Sequence, residues 1–273
     1  MNGPIAQLVA LTCHANFFIE RGSVTSKFFP DNSTCRYCDR ITFVEMKSRG
    51  LGKPTERTVA ENPDDWFKVL IAGAAWSVRI IREAGNNPLI SDRLSAGFVG
   101  GGGQWMLAVS YPTGVSDYWL PRWEVWNQQA AKQRIWRVTY GLVARDQTRP
   151  PADPDYSHAK AAFEAALTRI HAFSLKHNCD GFTECFARAI QSLSDESSAH
   201  GYYKDLYELG SLTKSAEAML DAAQSAWVFG GMGSWNDMGF DGEEQQEYEA
   251  ASDQLFSAIN NAICVATNGS ARR

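Results

Sequence analysis

Long apolar runs are missing from this 273-residue chain, which excludes a helical membrane span. Its most apolar stretch near the start, residues 5–19, is too short and too polar to cross a bilayer. No basic surplus exists either: 26 Lys and Arg face 31 Asp and Glu, a formal charge of −5 with a sequence pI of about 5.6. An electrostatic nucleic-acid binder normally carries enough Lys and Arg to tip that balance, so nucleic acid is not an expected partner. The familiar catalytic fingerprints are absent: no GxSxG elbow, HExxH helix, DFG-type motif or dinucleotide signature occurs. The first residues lack the basic region of a secretory signal, and the expected location is cytoplasmic. With only 5 histidines, imidazole bases are restricted to a few positions. Internal repeats and low-complexity tracts are also lacking.

What is present divides into two unlike stretches. Residues 1–150 mix strand and helix signals, whereas 151–273 read as almost all helix. Between them, TRPPADP (148–154) places three prolines in seven residues, and proline cannot continue a helix or a central strand. Residues 5–19 suit a buried strand or a short helix. Residues 37–46 alternate as a strand, with Ile41 and Phe43 on one face, and 47–61 form a polar loop. Asn62 and Pro63 open a helix whose stripe is Trp66, Val69, Leu70, Gly73, Trp76, Ile80 and Ala84. Four glycines (100–103) precede a strand at 105–111, and 118–127 with 134–143 make a hairpin. Helices follow near 157–176, 181–194, 203–229 and 243–267. The expected architecture is α+β. A mostly antiparallel sheet carries a covering helix, and a C-terminal helical region packs on it, within two regions or one integrated domain.

The segment VFGGMGSWNDMGFDGE (228–243) sets five glycines and the aromatics Trp235 and Phe240 between helical stretches. Clustered glycines mark backbone that turns tightly or approaches something closely. Gly230, Gly231, Met232, Gly233, Ser234, Trp235, Asn236 and Asp237 resemble a helix-linking turn of small bacterial proteins, some of them near toxin-immunity or defence loci. That local resemblance implies a bacterial interaction protein and carries over no catalytic residue.

Several residue groups are able to carry chemistry. Cys35 and Cys38 form a CxxC pair, and Cys13, with His14 beside it, is the nearest completion of a zinc site. The competing reading is plain reduced thiols. A further group, His177, Cys179 and Cys185, reads best as a helix end. The arginines at 134, 137, 145 and 149 read as the solvated face of a strand. The glycines at 100–103 lack the lysine and following helix of a phosphate loop and read as a turn. Trp119 and Trp123 share a strand face, either in the core or at a contact surface.

The expected function is non-catalytic binding of a protein partner through Trp235, Asn236, Asp237 and Phe240 together with Trp119 and Trp123, without a cofactor. Two alternatives stand beside it. One is an enzyme built on Cys13/His14 or on zinc at Cys35 and Cys38. The other is a protein that binds a nucleotide or other small ligand near residues 100–103.

Overall fold

The structure, a computed structural model, describes residues 1–47, 55–85, 87, 89–195 and 201–271. Its first element settles the ambiguous N-terminal stretch as a helix, α1 (Gly3–Arg21). Asn2 caps it by accepting the Ile5 N–H at 3.0 Å, and Gly22 closes it at φ 71°. Nearly every residue from Ile5 to Asn16 is buried, so α1 is a central helix. Gln7 and Asn16 are bonded inside, Gln7 accepting the Tyr140 hydroxyl at 2.9 Å.

Strands β1 (Cys38–Lys47) and β2 (Thr55–Ala60) pair antiparallel. The expected 47–61 loop therefore contains an edge strand, and its residues 48–54 lie outside the described part. Helix α2 (Pro63–Ala72) starts as anticipated, with Asn62 accepting the Asp65 N–H at 2.9 Å. It then stops twelve residues early. Gly73 ends it, Ala74 takes φ 53°, and Ser77–Glu83 is a strand, β3. The run Ser-Val-Arg-Ile-Ile-Arg is rich in β-branched residues that favour a pleated surface, and it pairs with β4 along its whole length.

The short helix α3 (Asp92–Ser95) precedes β4 (Gln104–Ser110), β5 (Val115–Val125) and β6 (Trp136–Thr148). The sheet order is β2-β1-β6-β5-β4-β3, and only β1 and β6 run parallel. One face lines up Phe43, Tyr140, Trp119, Leu107 and Ile80, all buried. Trp66 from α2 stacks on Phe43 at 4.3 Å. The other face carries ion pairs such as Arg137–Asp39 at 2.9 Å and Arg145–Glu45 at 2.6 Å.

The outer edge of β3 has no strand beside it, yet it is not open. Asn16 of α1 exchanges two hydrogen bonds with the Val78 backbone, at 2.7 and 2.8 Å. Asn268 does the same for Ile80, at 2.8 and 3.0 Å. Two amide side chains thus imitate a neighbouring strand and blunt an edge that would otherwise template aggregation.

The C-terminal helices are α4 (Tyr156–Lys176), α5 (Asp180–Asp195), α6 (Lys214–Ser225) and α7 (Gly242–Asn268). The long helix expected over 203–229 shrinks to α6; residues 201–213 are irregular, with Gly210 at φ 82°. Helix α7 packs on β3, and α4 and α6 pack on α7. A single apolar core draws residues from both halves of the chain. The proline-rich linker joins them: Arg79 of β3 donates to the Pro151 carbonyl at 3.0 Å and pairs with Asp153 at 2.7 Å.

Candidate functional site

The glycine-rich turn at 230–237 is a latch closed on itself. Trp235 is wholly buried, its indole N–H on the Ser252 hydroxyl at 2.7 Å, and its carbonyl accepts the Tyr248 hydroxyl. Asp237 completes a capping box with Ser234. Asn236 donates to the Arg93 carbonyl at 2.9 Å and accepts from the Arg93 guanidinium at 3.0 Å. Arg93, itself buried, also pairs with Asp253 at 2.6 Å and with Glu249. Phe240 is half-buried against Phe173 and His177, with ring centroids 5.0 and 4.8 Å away. The expected contact surface is corrected accordingly. Trp235 packs inward among α4, α5 and α7, Asn236 holds Arg93 of α3, and only Asp237 of the four is exposed.

Trp119 is likewise core, edge-on to Trp66 at 6.1 Å. Trp123 is half-buried against Trp136. The two hairpin tryptophans do share a face with the core, as their spacing implied, but neither comes near Trp235 by any ring contact.

The cysteines do not assemble the expected zinc set. Cys13, Cys35 and Cys38 are all buried. Among the described residues, no group of three or more His, Cys, Asp or Glu is placed to hold a metal ion. Burial pushes the Cys13 thiol up to about 12 and Cys38 to about 11, and raises Cys35 as well. Thiols so shifted stay protonated at neutral pH and are poor nucleophiles. His14 turns to other partners: its Nε2 lies 3.1 Å from the Asp205 carbonyl and its Nδ1 3.5 Å from Glu208. His177 caps α4 and Asn178 takes φ 54°, the helix end that the sequence suggested.

An open site does exist, at a fork in the sheet. Pairing of β4 with β5 stops at Leu107 opposite Trp119, while β4 stays paired with β3 as far as Gln104. Beyond the stop, β5 continues beside β6 alone, past a bulge at Tyr118/Trp119. Pro121 lies in this freed stretch, where its missing N–H loses no ladder bond. The gap is a cleft of about 580 Å³, within the roughly 300–1,000 Å³ of small-ligand sites. Its floor is the start of α1, with Ile5 and Leu8. Trp105 forms one wall, and Leu120, Pro121 and Trp123 form the other.

The glycines at 100–103 close the cleft's end, and their backbone explains them. Gly100, Gly102 and Gly103 sit at φ 81°, 85° and 90°, conformations that side chains resist. A Cβ on Gly101 would lie 1.9 Å from the Ser95 carbonyl oxygen. Arg82 holds the Gly102 carbonyl at 3.1 Å and pairs with Asp92, which also accepts the Gly85 N–H at 3.1 Å. The loop is therefore fixed by its own contacts and needs no phosphate to order it.

The walls are less complete. Trp105 is 6 % exposed, Trp123 half-buried, and neither indole N–H meets an acceptor among the described residues. A buried donor without a partner is an energetic debit of about 1–3 kcal/mol. Glu83 and Gln104 stand exposed at the mouth, as does Phe98. Sequence reasoning singled out the glycine loop but missed Trp105, Leu120 and Pro121 as walls. The proline inside an otherwise regular strand was the available signal. No protein-family model, curated protein or solved structure matches the chain.

Proposed function

We propose that this chain is a small-ligand-binding protein whose site is the cleft between Trp105 and Trp123. The observation that carries the reading is the open sheet fork, where β4 and β5 part and leave a cleft walled by Trp105, Leu120, Pro121 and Trp123. The complementary ligand is flat and largely apolar, to lie against Ile5, Leu8, Trp105, Leu120 and Trp123. Exposed Glu83 and Gln104 at the mouth leave room for a polar substituent there. No catalytic step is assigned: the buried thiols are protonated, and His14 is engaged with Asp205.

A thermal-shift screen with planar heteroaromatic fragments, nucleosides included, tests this. Binding to the native state raises the melting temperature, more so as ligand concentration exceeds Kd. Hits should vanish in Gln104→Trp, which fills the mouth from an exposed position. Hits that survive this substitution, or an absence of hits, would refute the assignment.

A second reading keeps a protein partner. Leu89, Phe98, Val99 and Met232 are exposed large apolar residues, and Phe98 borders the cleft. Exposed apolar clusters mark contact sites, and the turn's resemblance to bacterial defence-associated proteins agrees with that use. A stoichiometric protein co-purifying from the native host, and lost on Phe98→Ser, would favour it.

A further inference from the structure

We propose a second binding site, for a small phosphate-bearing anion, in the concavity walled by Arg36, Lys132 and Arg134. This hollow, about 570 Å³, lies where the loop at residues 30–33 faces the end of the β5–β6 hairpin. It is separate from the cleft described above and shares no lining residue with it.

The argument is one of unmatched charge. Along the same hairpin, arginines are neutralised one by one: Arg122 by Glu56 at 3.1 Å, Arg137 by Asp39 at 2.9 Å and Arg145 by Glu45 at 2.6 Å. Arg36, Lys132 and Arg134 have no such ion pair among the described residues, although the chain as a whole carries −5. Asp31 is the single carboxylate in the lining, so the hollow holds three cations against one anion. Like charges gathered without counter-charge repel, and a concave wall focuses their field on whatever enters.

The surrounding groups do not neutralise it from within. The nearby Asp205 carboxylate accepts both the Ser33 N–H, at 2.7 Å, and the Ser33 hydroxyl, lies outside the lining and pairs with none of the three cations. Asn32 is occupied with Thr34 and the Asp205 carbonyl. The backbone presenting the cations is itself unusual. Lys132 and Gln133, neither a glycine, sit consecutively at φ 57° and 56°, a left-handed conformation that side chains disfavour. The Arg134 carbonyl is pinned by the Trp126 indole N–H at 3.2 Å, which anchors the hairpin end.

Phosphate is the group that fits. The guanidinium fork matches two phosphoryl oxygens at once, and lysine adds a point charge. A nucleic-acid strand would need a longer basic track than this acidic chain offers.

Calorimetric titration of the intact protein with pyrophosphate at low ionic strength tests the proposal, with inorganic phosphate and chloride as comparisons. Saturable one-to-one binding is expected, stronger for pyrophosphate than phosphate and absent for chloride. Arg36→Gln and Arg134→Gln should each weaken it by roughly tenfold, with melting temperatures unchanged because Arg36 is exposed and Arg134 half-buried. Arg122→Gln, which removes a paired arginine elsewhere on the hairpin, should leave it intact. No binding at about 10 mM pyrophosphate (weaker than about −3 kcal/mol), or equal binding by the Arg36→Gln and Arg134→Gln variants and the parent, would overturn it.

Discussion

Two glycine-rich segments of this molecule touch each other and end in opposite physical states. A Cβ on Gly97 would meet the Gly230 carbonyl oxygen at 2.2 Å, so the backbone before the 100–103 loop lies directly on the 230–237 turn. The turn is finished: its indole, amide and carboxylate all have partners, and Arg93 ties it to α3 and α7. The loop beside it is just as firmly built, through Ser95, Arg82 and Asp92. It borders a gap whose tryptophans are left without acceptors. Glycine density therefore reports close backbone approach in both places and says nothing of which one faces a ligand. The open cleft beside the 100–103 loop makes that distinction.

Breaking the finished side should hurt stability most. Trp235→Ala empties a fully enclosed site and deletes the bond to Ser252; a loss of about 3–5 kcal/mol is expected by chemical denaturation. Arg93→Met strips Asn236, Glu249 and Asp253 of one shared partner. Because both carboxylates are partly in water, the expected loss is smaller, about 2–3 kcal/mol. Trp123→Phe, on the open side, should change stability by under about 1 kcal/mol while abolishing cleft hits.

The sheet offers the same contrast between a closed edge and an open one. Asn268→Ala exposes the Ile80 N–H and carbonyl to an apolar interior and should cost about 1–3 kcal/mol, with faster amide exchange confined to β3. Among the glycines, Gly101→Ala should destabilise and disturb the cleft, since its Cβ has no room beside Ser95. Gly231→Ala, with nothing within 4 Å of the added carbon, should stay within about 0.5 kcal/mol of the parent.

A milder effect concerns pH. Burial holds the His14 imidazole below its ordinary 6.5, against weaker opposing pulls from Asp205, Glu208 and Asp64. The unfolded chain then binds a proton that the folded chain refuses, so this contribution is complete above 6.5 and is lost as pH falls toward the folded value. His14→Gln should flatten the fall in melting temperature over that acidic window.

Much of the fold was legible in the sequence. Helix α7 announces itself through the stripe Tyr248, Leu255, Ile259, Ala262, Ile263 and Ala266, α4 and α5 fall in the helical ranges read at 157–176 and 181–194, and the β5–β6 hairpin shows in the alternation of Trp136, Val138, Tyr140 and Leu142. Strand β3 was misread as helix because Trp76, Ile80 and Ala84 continue the α2 stripe by coincidence, and Gly73 alone marks the break. What decides for strand is long-range: the β4 ladder and the two asparagines from α1 and α7, 62 and 188 residues away. The parallel pairing of β1 with β6, and the inward turn of Trp235, have the same character. The cleft was half visible, since its glycine loop stood out while its walls depend on where a ladder stops.

The most direct measurement follows the tryptophan indole N–H resonances by heteronuclear NMR while planar heteroaromatic fragments are added. The account predicts that a cleft binder shifts the Trp105 and Trp123 indole signals and leaves Trp235, held on Ser252, in place. Binding that moves Trp235 while Trp105 and Trp123 stay fixed would contradict it, and so would a fragment set that moves no indole signal.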